Sequence, residues 1–210
     1  MDARLHLLPN GPAGPAPRRA DATRNHALLL DTARRILDES GVEGLTMDKL
    51  AREAGLGKGT IFRRFGSRTG LLREMLNEIE SDFQRRFMSG PPPLGPGAGA
   101  AIGADAVTRL IAYGRERIEL LSIQGDLLRA SEEIGDERYS SPARAVGLLH
   151  LRILLKQAGF DGDIEVASFT LLAALEATLI LYENRAEHIS MQRLADGWEL
   201  LVLKITACTS

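Results

Sequence analysis

Apolar residues recur along most of the chain at spacings of three and four, which is the period of an amphipathic α-helix. The longest clear stripe consists of Leu72, Met75, Leu76, Ile79, Phe83 and Phe87. Runs of β-branched residues are scarce, and Leu, Ala, Arg and Glu dominate the chain. The pattern therefore predicts an all-α protein.

The first third of the chain predicts three short helices, with a glycine at the end of each of the first two. They cover about residues 21–40, 47–54 and 58–65. Thr46 precedes the second helix, where its hydroxyl can accept a hydrogen bond from a backbone N–H one turn further on. The second and third helices are joined by a tight turn at Gly55-Leu56-Gly57. This arrangement predicts a helix-turn-helix.

The rest of the chain predicts longer helices. A helix capped by Ser67 precedes a Pro- and Gly-rich loop at 89–103, and further helices are expected at about 105–121, 124–134 and 142–159. Two helices follow, at about 166–182 and 194–205. The first of these is apolar on nearly all sides, which predicts burial on two faces, against its own chain and a second subunit. The alternative is an ordinary monomeric core.

Charge is distributed unevenly between the two ends of the chain. The net charge is −2, but residues 1–70 contain 12 Lys/Arg and 8 Asp/Glu. Residues 56–70 hold Lys58, Arg63, Arg64 and Arg68 and no acidic residue. A basic front end on an acidic body predicts a polyanionic partner for the front end. A solvated charged face is the alternative explanation.

Several classes of site are excluded by spacing. The stretch "GLGKGT" is similar to a nucleotide-binding loop, but Arg52 stands where the Walker pattern needs glycine, and Gly59 where it needs a hydroxyl. No nucleophile–base pair, paired carboxylates or metal cluster is evident, and the one cysteine, Cys208, excludes a disulfide framework. We therefore expect no enzyme activity, no catalytic or metal-binding residue and no cofactor.

No targeting or membrane segment is evident in the sequence. The first 20 residues lack the apolar stretch of a signal peptide. No apolar run reaches the roughly 18 residues of a membrane span. We expect a disordered N-terminal arm at 1–20, a cytoplasmic location and no membrane partner.

Residues 46–72, "TMDKLAREAGLGKGTIFRRFGSRTGLL", resemble the DNA-binding segment of the TetR family of bacterial transcriptional regulators. The usual family pattern is approximately T-x-x-x-[IL]-A-x-x-A-G-[VL]-[SG]-K-G-[TS]-[LI]-Y-x-[HYR]-F-x-[SG]-K-x-x-L, and nearly every position matches. The resemblance implies an N-terminal three-helix helix-turn-helix DNA-binding domain at 21–70. It also implies a C-terminal helical ligand-binding and dimerisation domain at 71–210.

Carried over by position, the resemblance gives a set of DNA contacts: Thr46, Lys58, Gly59, Thr60, Phe62, Arg63, Arg64 and Arg68. Thr46 would contact a phosphate while capping its helix, or act as a cap alone. Phe62 departs from the pattern, because the family commonly has Tyr there and Phe has no hydroxyl to donate. It could still pack against sugar or a thymine methyl, or serve only for packing.

Three arginines of the predicted arm region, Arg18, Arg19 and Arg24, form a further possible DNA contact. They could reach a minor groove from the flexible arm. The alternative is that they are simply solvated.

The resemblance also implies an effector pocket in the second domain. Polar residues among apolar ones are its candidates, namely Tyr113, His150 and Glu176. Each has an alternative role: Tyr113 as a packing residue, His150 as a satisfied core histidine and Glu176 as a hydrogen bonder in a dimer interface.

These implications define one principal function and one alternative. The principal prediction is a homodimer, joined through its last two helices, that regulates transcription. It would be a repressor released from a palindromic double-stranded DNA operator by a small-molecule effector. The alternative is a helical ligand-binding or adaptor protein with the same fold but no operator.

Overall fold

The computed structural model describes residues 17–97, 104–131 and 141–207, with side chains from residue 23 onward. Within these ranges all regular elements are helices, as the sequence predicted. They are α1 (Pro17–Gly44), α2 (Met47–Ala54), α3 (Lys58–Phe65), α4 (Arg68–Ser89), α5 (Ala106–Ala130), α6 (Pro142–Gln157), α7 (Ile164–Ala174), α8 (Ala177–Arg185) and α9 (Met191–Thr206). Most of the predicted arm at 1–20, the side chains of Arg18 and Arg19, and Cys208 lie outside the described residues.

The chain divides into two compact units, and the first ends at Gly66. In this unit α1 packs on α2, and α2 packs on α3. The apolar residues buried here are Leu29, Leu30, Ala33, Ile36, Leu45, Met47, Leu50 and Ile61. This set forms the core of the predicted three-helix domain.

Glycines and a threonine set the helix ends of the first unit. Gly41 has φ 66° and interrupts the helical backbone of α1 where the sequence predicted its end. Gly55 ends α2 with φ 65°, a left-handed conformation that glycine adopts without steric cost. The Thr46 side chain accepts a hydrogen bond from the Lys49 N–H at 3.1 Å, which confirms the predicted cap.

The second unit begins at Ser67 and contains α4 to α9. Its central helix is α5, which packs against α4, α6, α8 and α9. The Trp198 indole N–H donates to the carbonyl oxygen of Leu110 at 3.0 Å, joining α9 to α5. Ser67 caps α4 as predicted. Ser141 caps α6, and Pro142 is the first residue of that helix.

One predicted boundary in this unit is wrong. The sequence indicated separate helices at 105–121 and 124–134, whereas α5 runs without a break from Ala106 to Ala130. Gly125 permits close packing rather than a turn, because a Cβ there would lie 2.7 Å from Cδ2 of Leu181 on α8. The remainder of the second predicted helix lies outside the described residues.

The prediction of one continuous apolar helix at 166–182 is also wrong. The helical backbone stops at Ala174, and α8 starts at Ala177 after a bend of 41°. Glu176 at the break has extended backbone angles, φ −64° and ψ 121°. The halves pack on different helices, α7 against α6 and α8 against α5. Glu176 therefore precedes a helix instead of lying inside one.

No single described helix is both long enough and apolar enough to cross a membrane. The pair α7 and α8 meets that criterion together, by length and composition only, and buried core helices also meet it.

Candidate nucleic-acid interface and ligand-binding cluster

Helix α3 has one buried face and one exposed face. Ile61 is fully buried and Phe65 is half-buried, with its ring 6.0 Å from that of His26 on α1. The predicted DNA contacts of α3 that are exposed are Lys58, Gly59, Phe62, Arg63 and Arg64, and Thr60 is half-buried. Most of the predicted DNA contacts of α3 therefore lie on its solvent side.

Lys58, at the start of α3, has two neighbours within the unit. Its ammonium lies 2.5 Å from Oδ1 of Asp48 on α2 and 5.9 Å from the centre of the Phe62 ring. Phe62 is 41% exposed, so its ring lies on the surface beside this charge and not in the core. The contact with Asp48 was not foreseen, because the two residues are on different helices.

The two neighbouring arginines differ in their contacts. Nε of Arg64 donates to Nδ1 of His26 at 3.1 Å, so its side chain is directed to α1. Arg63 forms no hydrogen bond or ion pair within the described part of the chain. Sequence reasoning treated the two as equivalent, because a contact across 38 positions leaves no local signal.

Two further predicted DNA contacts, Thr46 and Gly59, are also exposed. Thr46 is exposed while its hydroxyl caps α2. A Cβ added at Gly59 would meet nothing within 4 Å. Glycine is therefore not required there by the packing of its own chain, and its exposed backbone is open to a close-approaching partner.

Arg68 differs from the other predicted DNA contacts in its location. It is the first residue of α4, belongs to the second unit and is half-buried. Arg24, predicted in the flexible arm, lies exposed on α1.

In the second unit the structure brings together two of the three predicted ligand residues. The rings of Tyr113 on α5 and His150 on α6 have centres 5.4 Å apart. Phe87 on α4 lies 5.3 Å from Tyr113 and 4.4 Å from His150, and Phe83 lies 5.2 Å from Tyr113. We call these four residues the aromatic cluster.

The aromatic cluster holds polar atoms without partners in the described residues. His150 Nε2 is buried and has no hydrogen-bond partner there, and the Tyr113 hydroxyl makes no hydrogen bond there. Burial lowers the pKa of His150 to about 4, and the Arg109 charge acts in the same direction. Burial raises the pKa of Tyr113 to about 12. Both side chains are therefore neutral near pH 7 and could exchange hydrogen bonds with a polar group.

Glu176 lies at the α7–α8 break, and its carboxylate accepts a hydrogen bond from the Thr178 hydroxyl at 3.4 Å. The premise that it is a polar residue stranded inside an apolar helix is wrong. A ligand-binding role for Glu176 stays a prediction, as it does for Tyr113 and His150.

Comparison with known proteins gives the same assignment as the helix-turn-helix geometry. Residues 29–75 match the family model described as bacterial regulatory proteins, tetR family. Residues 29–75 are therefore similar to the DNA-binding segment of the TetR family. An HTH-type transcriptional regulator of Staphylococcus aureus is 38% identical to it over 69 residues, which are 33% of this chain and 37% of that protein. The match thus spans little more than a third of that relative.

Solved structures with the TetR fold extend the likeness over most of the chain. A TetR-family regulator from Pectobacterium atrosepticum has a TM-score of 0.67 at 20% identity, covering 89% of this chain and 96% of that one. FadR from Bacillus subtilis, in complex with stearoyl-CoA, has a TM-score of 0.57 at 17% identity, covering 84% and 97%. At these identities the likeness shows a shared fold. These relatives are named as transcriptional regulators.

Proposed function

We propose that the protein is a DNA-binding transcriptional regulator whose α3 enters the major groove of an operator. The observation that carries the proposal is the exposed face of α3. Burial of Ile61 leaves Lys58, Phe62 and Arg63 directed away from the core of the unit. An exposed helix with Lys and Arg donors suits a groove lined by phosphates and guanine edges.

The contacts within the unit suggest different roles for these side chains. Lys58 would exchange its pairing with Asp48 for a phosphate, and Thr46 would add a phosphate contact at the start of α2. Arg63 has no competing partner among the described residues, so its guanidinium is available to a base edge. Arg64 is held by His26, which favours a phosphate or positioning role over base reading.

The experiment that tests this proposal is selection from a random DNA pool by the purified protein, followed by titration of the enriched sequence. We expect an inverted repeat, because two copies of α3 would read two half-sites. Lys58→Ala should weaken binding to all sequences by a similar factor and reduce the slope of log affinity against log salt by about 1. Arg63→Ala should cost about 1–3 kcal/mol and relax preference at one base position.

Arg129→Ala is the matched control, because Arg129 lies on α5 and forms an ion pair with Asp126. It should bind operator DNA like the unaltered protein. Unchanged binding in both Lys58→Ala and Arg63→Ala would remove α3 from the interface.

For the second unit we propose effector binding at the aromatic cluster and dimerisation through the last two helices. Effector binding is supported by the polar atoms of Tyr113 and His150 that have no partner among the described residues. It is also supported by the stearoyl-CoA bound by FadR. Exposed apolar residues on α7, α8 and α9 support dimerisation. An effector that binds better when the two α3 helices of the dimer are not spaced for the operator would lower operator affinity. Repression would then be relieved by a ligand in the cytoplasm. Helix α4 is the proposed connection between the two events.

One observation favours a different function. Phe62 lacks the hydroxyl of the Tyr that is usual at this position. A ligand-binding or adaptor protein without an operator would not need that hydroxyl. Absence of any enriched sequence at low salt, with and without candidate ligands, would favour that alternative.

A further inference from the structure

A groove of about 350 Å³ lies in the second unit between α5, α8, α9 and the end of α7. Its walls are apolar and include Ile118, Ile180, Leu194 and Leu201. Trp198 and Arg193 also line it, and we call the site the Arg193 groove. It shares no lining residue with the aromatic cluster.

The Trp198 ring contributes an apolar surface to this groove. Its only polar atom, the indole N–H, is already bonded to the backbone carbonyls of Leu110 and Ile111 at 3.0 and 3.2 Å. Trp198 is 4% exposed as a residue, so only a small part of it faces the groove. A ligand would therefore meet Trp198 through carbon atoms alone.

Arg193 is the one charged residue of the lining, and it lies exposed near the start of α9. It has no ion pair within the described residues. The acidic residues Asp196 and Glu199 of the same helix lie 2.5 and 2.6 Å from the Arg115 guanidinium, which occupies them. The positive charge at the groove is thus left without a neutralising partner there.

We infer that the Arg193 groove binds a small amphipathic carboxylate, with its hydrocarbon part against Trp198 and its carboxylate on Arg193. The volume is near the lower end of the range for small-molecule sites, about 300–1,000 Å³, which suits one short chain or ring system. Guanidinium binds carboxylate through two parallel hydrogen bonds, which favours this headgroup over a neutral one. The inference adds a second ligand site to the proposed regulator.

The test uses the fluorescence of Trp198, which is the single tryptophan of the chain. The full-length protein is titrated with decanoate below its micelle-forming concentration, and separately with 1-decanol and acetate. We expect saturable binding of decanoate, with decanol and acetate each roughly tenfold weaker or more. A charge-assisted hydrogen bond has about that effect on affinity.

Variants assign the binding to the groove. Arg193→Gln should weaken decanoate binding to the level of decanol, whereas Arg193→Lys should retain part of the preference. Lys204→Gln is the matched control, because Lys204 is also an exposed cation of α9 but does not line the groove. It should bind decanoate normally. Tyr113→Phe, which alters only the aromatic cluster, should also leave binding unchanged.

Equal binding of decanoate and decanol, no binding of either, or an unaffected Arg193→Gln variant would each overturn the inference. Loss of binding in Tyr113→Phe would transfer the site to the aromatic cluster and overturn it as well. If decanoate does not bind and Arg193→Gln changes the sedimentation mass, the groove is a contact with a second copy of the chain, and the inference is overturned. None of these measurements involves DNA, so failure here is distinguishable from failure of the proposed regulator.

Discussion

The indole of Trp198 lies directly against the backbone of α5 at Gly114. A Cβ built at Gly114 would be 2.0 Å from Cε2 of the ring, and both residues are buried. The ring cannot withdraw without losing its hydrogen bond to the Leu110 carbonyl. The glycine is therefore required by packing, and it fixes the distance between α5 and α9 at the residue that also lines the Arg193 groove.

Gly114→Ala should accordingly destabilise the protein. We expect a loss of about 1–3 kcal/mol in the free energy of unfolding, because overpacking a rigid core forces backbone or ring displacement. Gly197→Ala is the matched control on α9, since a Cβ there would meet nothing within 4 Å. Alanine should be neutral or stabilise α9 by up to about 1 kcal/mol. Urea unfolding measures both, and equal effects of the two variants would contradict this packing.

At the scale of elements, N-caps and breaks explain where the helices begin. Side-chain oxygens of Thr46, Ser67, Asp105, Ser141, Asp163 and Ser190 each accept a hydrogen bond from a backbone N–H three residues on. Helix α8 is different, because Glu176 occupies the cap position without capping it through its side chain. The break between α7 and α8 thus lacks a side-chain cap, and the two helices pack against different partners, α6 and α5.

Glu176→Asp distinguishes this break from the continuous helix that the periodicity predicted. At a cap position a shorter carboxylate can reach the next turn, so we expect a gain of a few tenths to about 1 kcal/mol in stability. Inside a helix the same change should cost a few tenths of a kcal/mol, because Asp has the lower helix propensity. Urea unfolding of the variant decides between the two, and Glu183→Asp, within α8, serves as the control for the helical cost.

At the scale of the whole molecule, exposed apolar side chains are concentrated near the C-terminal end of the chain. On α7, α8 and α9 they are Val166, Phe169, Leu179, Tyr182, Leu200 and Leu203, each between 44% and 59% exposed. Exposed apolar side chains are a feature of protein–protein interfaces when they share one surface. The proposed homodimer would cover it, and two joined copies would present two α3 helices to one operator.

Leu200→Glu should therefore weaken the dimer. Burying an unpaired carboxylate at the centre of an apolar contact should cost about 2 kcal/mol or more of association free energy. Sedimentation equilibrium over a range of concentrations should show a shift to monomer, accompanied by weaker binding to the inverted repeat. Met88→Glu is the control, because Met88 is 60% exposed on α4. A dimer that survives in Leu200→Glu would exclude α9 from the interface.

The sequence by itself determined the features that depend on neighbouring residues. Helical periodicity, the caps at Thr46 and Ser67 and the left-handed glycine at Gly55 are local, because each is set by contacts within a turn or two. Burial of Ile61 and exposure of Lys58 and Arg63 follow from the same spacing on α3. The candidate DNA interface was therefore readable from about 27 consecutive residues.

Only the tertiary structure decided what depends on distant residues. It gave Arg64, but not Arg63, a hydrogen bond to His26, and it paired Lys58 with Asp48. It also made α5 one continuous helix and interrupted the apolar helix at Glu176. It also brought Trp198 and Arg193 of α9 beside Ile118 of α5, which formed the groove. These outcomes depend on which side chains meet across separate helices, and helical periodicity carries no information about that choice.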